Sequence, residues 1–169
     1  ADDVRAHMAE LIEAGGAKEA AWNELFASYK AAYPDKAAKY ALEMSGQVDV
    51  EALDADEFWA FDNKPSATRA ISGEMIQRLT KIIPNMFAGS ADLAPSTKTW
   101  MNDSDAYSKE NPLGKNIHFG VRELSMTAMG NGIAIHGGLK TFTSTFFVFS
   151  DYMKPMIRLA ALMNLPHTF

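Results

Sequence analysis

No cysteine occurs in this 169-residue chain. Disulfides and thiol catalysis are therefore excluded, and a reducing, cytoplasmic setting is expected. No apolar run approaches the roughly 20 residues that span a bilayer, so no membrane partner is expected. The acidic N-terminal stretch also lacks the basic, then apolar, order of a secretory leader. Basic residues are the minority sign, 16 against 21 acidic, which leaves a net charge of −5. That balance supplies no general attraction to a polyanion, and no nucleic-acid partner is expected. Histidine is scarce as well. The four present show no metal-ligand spacing, and no metal ligand is assigned. Internal repeats and low-complexity tracts are absent. Ala1 stands where a start methionine would, so the chain reads as processed or excised.

What is present is the composition of a folded domain. Apolar residues make up 47% and charged residues 22%. The length is enough for one domain with a real core.

Residues 4–14 read as a helix closed by Gly15-Gly16, and 17–32 as a second helix with Trp22, Phe26 and Tyr29 on a broad apolar side. Pro34 suits the first position of a third helix, 35–44. Residues 45–56 read as an acidic connector, docked through Phe58, Trp59 and Phe61. A break at 62–66 follows, with Ser66 as a candidate cap. Ala70, Ile71, Met75, Ile76, Leu79 and Ile82 then recur at helical spacing over 67–83.

Residues 86–93 begin as a strand and dissolve into a turn, and 100–114 read mostly as loop. Residues 117–121 are the next strand and 122–136 a helix ended by Gly137-Gly138. Gly130 and Gly132 inside that helix predict close approach of another backbone. Residues 140–145 read as a third strand, and 147–163 as a helix with Pro155 near its start. His167-Thr168-Phe169 opens a further strand. This alternation predicts an α/β fold, a parallel sheet flanked by helices and preceded by a helical connector. Ligands in such sheets bind beyond the carboxyl ends of the strands, where Asp92, Ser96, Glu123 and Phe146 all fall.

One stretch organises the rest. Glu123 sits where an apolar run gives way to a helix, and about twenty residues on comes an aromatic cluster of Phe142, Phe146, Phe147, Phe149 and Tyr152. A lone carboxylate beside an aromatic wall can hold a flat nitrogen heterocycle, with the wall stacking the ring and the acid bonding a ring nitrogen. From these residues alone, a helix start followed by an aromatic core is the favoured reading.

Four motifs in order alter that weighting: G-S-A-D-L-A-P-S, N-I-H-F-G-V-R-E, N-G-I-A-I-H-G-G-L and T-F-F-V-F-S-D-Y, followed by I-R-L-A-A-L. Together they resemble the pyrimidine-binding middle domain of transketolases, which use thiamine diphosphate. The motif-bearing match runs over roughly 65–166. The resemblance implies a helical connector over 1–64 and an incomplete pyrimidine-binding domain over 65–169. It implies that Glu123 bonds the pyrimidine N1′ of thiamine diphosphate and so activates the cofactor. It places Phe146, Phe149 and Tyr152 around the pyrimidine, and Asp92 and Leu93 against the cofactor at a subunit interface. It assigns Arg69 and Ser96 to the phosphate of a sugar-phosphate substrate. Phe142 and Phe147 lack a match and are expected in the core, and His118 and His136 are expected to be structural or polar-surface residues.

The implied activity is transfer of a two-carbon ketol unit between sugar phosphates in the pentose phosphate pathway, by a homodimer with the cofactor at its interface. Magnesium or calcium is implied with ligands in a preceding domain, because the diphosphate- and metal-binding G-D-G…N motif is absent here. The later H-D-S segment is absent too, and Leu124 replaces the family's usual histidine. The chain is therefore expected to be an inactive piece of an active parent. Dihydroxyacetone synthase, deoxyxylulose-phosphate synthase and a non-catalytic interaction module remain as alternatives.

Overall fold

The computed structural model describes Ala1–Phe169 and divides into two compact units, Ala1–Leu42 and Glu43–Phe169. The first unit is dominated by α1, Asp2–Ala32, which runs unbroken through Gly15 and Gly16. The expected break at the glycine pair is therefore wrong. Neither glycine takes a left-handed φ, so neither ends the helix, and a run of good helix formers carries it through. Pro34 opens α2, Pro34–Ser45, as expected of a residue with fixed φ and no N–H to leave unpaired. Within this unit Trp22 and Phe26 stack at 6.1 Å, and Phe26 meets Tyr40 at 5.5 Å. These aromatics pack on one another, and with Leu25 and Tyr29 they line an open apolar hollow of about 310 Å³.

The connector carries more structure than its composition suggests. Two short helices, α3 (Val50–Asp54) and α4 (Asp56–Trp59), occupy it. The Asp49 carboxylate caps α3 by accepting from the Ala52 N–H at 3.1 Å. Docking runs through α5, Thr68–Ile82. Arg78 on that helix donates to the Phe58 and Ala60 carbonyls and lays its guanidinium 4.2 Å from the centre of the Phe61 ring. Phe58 is buried, whereas Trp59 stays exposed and donates its indole N–H to Leu53 O at 2.7 Å. Ser66 does not cap α5. The N-cap is Ala67, with no side-chain bond.

Beyond α5 the chain alternates as expected. In order come β1 (Ala88–Ser90), α6 (Ala94–Thr97), β2 (Asn116–His118), α7 (Glu123–His136), β3 (Thr143–Ser144), a 3₁₀ turn (Phe147–Phe149) and α8 (Ser150–Leu162). The three strands form one parallel sheet in the order β2-β1-β3, with Gly89 opposite both Ile117 and Thr143. Thr168 adds a parallel bridge beside Phe142, so the last residues do start along the open edge of β3. Pro155 lies within the second turn of α8 without ending it. Gly137 and Gly138 terminate α7 with φ of +78° and +79°, a conformation that side chains oppose.

Two small cores cover the sheet. Ile76, Met86, Ala88 and Met101 form one, with Phe142 packed against it as expected. Ala91, Phe119, Met126 and Met153 form the other, which seats α7 and α8. Fully burying a side chain such as Met126 stabilises by about 1.5–3 kcal/mol. Between β2 and the rest, Asn116 is buried and spends its amide on the loop. Its Oδ1 accepts from Met101 N–H at 2.9 Å, and its NH₂ donates to Met101 O and Ser104 O. No helix is long and apolar enough to cross a membrane.

Candidate functional site

Parallel strands all deliver the chain to the same edge, and every strand here exits where a site residue follows. β1 leads to Asp92, β2 to Glu123 and β3 to Thr145 and Phe146. Asp92 takes a left-handed φ of 59°, and the Ser90 hydroxyl accepts from the Leu93 N–H at 3.2 Å. This tight turn fixes the start of α6. Leu93 is half-buried and Asp92 exposed.

Glu123 is the first residue of α7 and only 8% exposed. A carboxylate at a helix N-terminus is favoured by the dipole and the free N–H groups there. Its Oε1 accepts a long bond, 3.5 Å, from the Thr145 hydroxyl, while Oε2 makes no bond within the chain. Oε2 is not sealed from solvent, so it can meet an incoming donor. The Thr127 hydroxyl donates to the Glu123 carbonyl at 2.8 Å and steadies the first turn. The sequence carries no sign of Thr145, whose only signal is proximity to a residue 22 positions away.

The aromatic wall is partly assembled. Phe149 and Tyr152 stack at 6.5 Å with planes 26° apart, and Phe146 is half-buried at the start of the 3₁₀ turn. Tyr152 is 62% exposed. Phe147, expected in the core, is 92% exposed, and that expectation is wrong. Three consecutive residues of a 3₁₀ turn point in three directions, so Phe147 and Phe149 cannot both face inward.

Arg69 lies in the first turn of α5 and Ser96 in α6, both exposed. Beside them is an open cavity of about 420 Å³, lined by Gly73, Glu74 and Gln77 of α5 and by Lys98, Trp100 and Asn102. Neither Arg69 nor Ser96 lines it, and Lys98 is the basic group that does. His118 and His136 are exposed. His118 tilts against Trp100 at 5.5 Å, and the ring of His136 turns back to Gly137 O.

The residues at the carboxyl edge suit one end of a cofactor. An accessible carboxyl oxygen on a buried glutamate can share a proton with a ring nitrogen, and the rings that follow β3 at the same edge can cover a flat heterocycle. A diphosphate does not fit the same groups. No three His, Asp or Glu side chains converge to hold a metal ion, and Asp92 and Glu123 repel an anion.

The family described as the transketolase pyrimidine binding domain matches residues 64–169. A transketolase from Halalkalibacterium halodurans is 47% identical over 98% of this chain and 25% of its own length. One from Geobacillus stearothermophilus is 46% identical over the same shares. Among solved structures, transketolase from Leishmania mexicana superposes with a TM-score of 0.78 at 33% identity, covering 90% of this chain and 22% of that one. A Pichia stipitis transketolase in complex with sedoheptulose-7-phosphate superposes at 0.77 and 30% identity, over 90% and 23%. The chain thus spans about a quarter of the length of the relatives it matches. Motif order, a parallel sheet with the acid at its carboxyl edge and the match over residues 64–169 lead to one conclusion: the chain belongs to the transketolase family, in the region of the pyrimidine-binding domain.

Proposed function

We propose that this chain is the connector (1–64) and pyrimidine-binding domain (65–169) of a transketolase that moves a two-carbon ketol unit from a ketose phosphate to an aldose phosphate. The observation that carries this reading is Glu123, buried at the start of α7 on the sheet's carboxyl edge with one oxygen open. The cofactor is thiamine diphosphate, which when bound supplies the carbon nucleophile. Glu123 holds the proton at the pyrimidine N1′, and the Thr145 hydroxyl orients the carboxylate through Oε1. Phe146, Phe149 and Tyr152 stack the ring and exclude water from it. Asp92 and Leu93 close the β1 side of the pocket.

Arg69 and Ser96 bind the substrate phosphate. Arg is suited by its planar fork of donors, and Ser96 sits on the neighbouring α6. The diphosphate and its magnesium or calcium ion are held outside residues 1–169, across a homodimer interface in the cytoplasm. On this reading residues 1–169 alone are inactive.

Glu123→Gln in the full-length protein tests the reading. The variant should fold and bind cofactor but lose most exchange of the thiazolium C2 proton, read by deuterium uptake in nuclear magnetic resonance. Near-normal exchange in the folded variant would remove Glu123 from the mechanism.

A further inference from the structure

His167 is the one buried histidine, and no step of the proposed chemistry uses it. Its ring lies between two side chains. Nδ1 is 2.7 Å from Asn131 Oδ1, and Nε2 is 3.0 Å from the Thr143 hydroxyl. The hydrogens in this cluster follow from a third contact. Asn131 donates its NH₂ to the Met156 carbonyl at 2.8 Å, so its Oδ1 must face His167 as an acceptor. Nδ1 therefore carries the ring proton, and Nε2 accepts from Thr143. Both nitrogens are satisfied in the neutral ring.

The partners lie on the elements that build the candidate site. Asn131 is on α7, which begins at Glu123. Thr143 is on β3, two residues before Thr145, the residue whose hydroxyl reaches Glu123. Met156 is on α8, which also carries Tyr152. A further observation shows how closely the ring is fitted. A Cβ at Gly130 would lie 2.2 Å from His167 Cε1 and 2.9 Å from Thr143 Cγ2. The helix thus accepts a glycine where the ring enters. This corrects the expectation for the glycine pair. At Gly130 a side chain approaches, not a backbone, and nothing lies within 4 Å of a Cβ at Gly132.

We propose that His167 is a positioning residue: locked between Asn131 and Thr143, its neutral ring keys α7, β3 and α8 together and so sets where Glu123 and Thr145 stand. The inference rests on the reading of Glu123 as the acid facing the pyrimidine. A buried polar cluster of this kind accepts one arrangement and penalises the others, because any shift leaves a buried group unpaired. An apolar side chain of similar size would fill the space without choosing a register.

The test uses the full-length protein and three variants. His167→Phe keeps the ring volume and removes both bonds. Thr143→Val removes only the Nε2 partner and keeps the shape. Glu123→Gln is the reference for the underlying reading. Nitrogen-15 resonances of the His167 ring, read without cofactor near neutral pH, should show the Nδ1–H tautomer. The deuterium exchange rate at C2 of saturating thiamine diphosphate should fall about tenfold in His167→Phe, and by less in Thr143→Val, as loss of an outer-shell partner does elsewhere.

An Nε2–H tautomer or a charged ring would overturn the proposal. Exchange within about twofold of the parent in both folded variants, with only a lower melting temperature, would reduce His167 to packing. If His167→Phe fails to fold, Thr143→Val decides alone. Loss of exchange in Glu123→Gln with normal exchange in the other variants sinks the positioning role and leaves the site reading intact. Normal exchange in Glu123→Gln sinks both.

Discussion

Glu123 and His167 are the two buried ionisable side chains of the carboxyl half, and their surroundings differ. Glu123 keeps an oxygen open at a helix N-terminus, where a negative charge is favoured. His167 faces only neutral groups: Asn131, Thr143 and the Phe169 ring at 4.2 Å. Burial disfavours the charged imidazolium and lowers the His167 pKa from 6.5 to about 4. The unfolded chain therefore takes up this proton first as pH falls. The stability owed to a neutral His167 is complete above pH 6.5, shrinks between 6.5 and 4, and is gone below about 4. Each unit of the depression corresponds to about 1.4 kcal/mol. Urea midpoints measured across that window should fall more steeply for the parent than for His167→Phe, and parallel slopes would contradict this. Arg69 allows a second prediction at the same scale. Arg69→Ala should raise the KM for phosphorylated sugars roughly tenfold or more, the worth of a charge-assisted hydrogen bond, while sparing a small unphosphorylated donor. Equal damage to both donors would mean that Arg69 supports structure alone.

Among the elements, α1 and α7 show glycine in opposite roles. Gly15 and Gly16 sit inside α1 with no left-handed φ, and a Cβ added at either would meet nothing within 4 Å. They loosen the helix without serving a contact. Gly15→Ala and Gly16→Ala should each stabilise α1 by about 0.5–1 kcal/mol, seen as more helical circular dichroism and a higher melting temperature. No gain in either would mean that the glycines serve a contact made by the longer protein. Gly130 in α7 has no such latitude, because the His167 ring occupies the space of its missing side chain. The same residue type thus weakens one helix and lets another pack. The Gly137-Gly138 ending of α7 was legible because a stop signal is local: two residues with φ of +78° and +79° end the helix whatever lies around them.

For the whole molecule, the decisive fact is that residues 1–169 match about a quarter of their relatives' length. The carboxyl edge presents a carboxylate and aromatic rings suited to a pyrimidine, but no cluster of three His, Asp or Glu side chains that could hold the metal ion of a diphosphate. Net charge is −5. Apolar side chains remain exposed at that edge, with Phe147 at 92% and Val148 at 69%. Such exposure marks a surface made to be covered. Residues 1–169 alone should therefore bind thiamine diphosphate and magnesium weakly or not at all and show no ketol transfer. Isothermal titration is the check. Micromolar binding with turnover would mean that a complete site lies within these residues.

Much of this protein is determined locally and can be read from its sequence. The alternation of strand and helix from residue 86 onward, the Pro34 helix start, the glycine stop after α7 and the acid at the β2–α7 junction all follow from near neighbours. Backbone preference and hydrophobic period act within a few residues, so a sequence displays them directly. Tertiary structure decided the rest. It kept α1 whole across a glycine pair, turned Phe147 outward while Phe142 packed on the core, and brought Thr145 to Glu123 across 22 residues. It also made one buried cluster of Asn131, Thr143 and His167, whose hydrogen bonds span up to 36 positions. A hydrogen bond between distant residues leaves no period in the sequence. It exists only once the sheet has set which strand exits beside which helix.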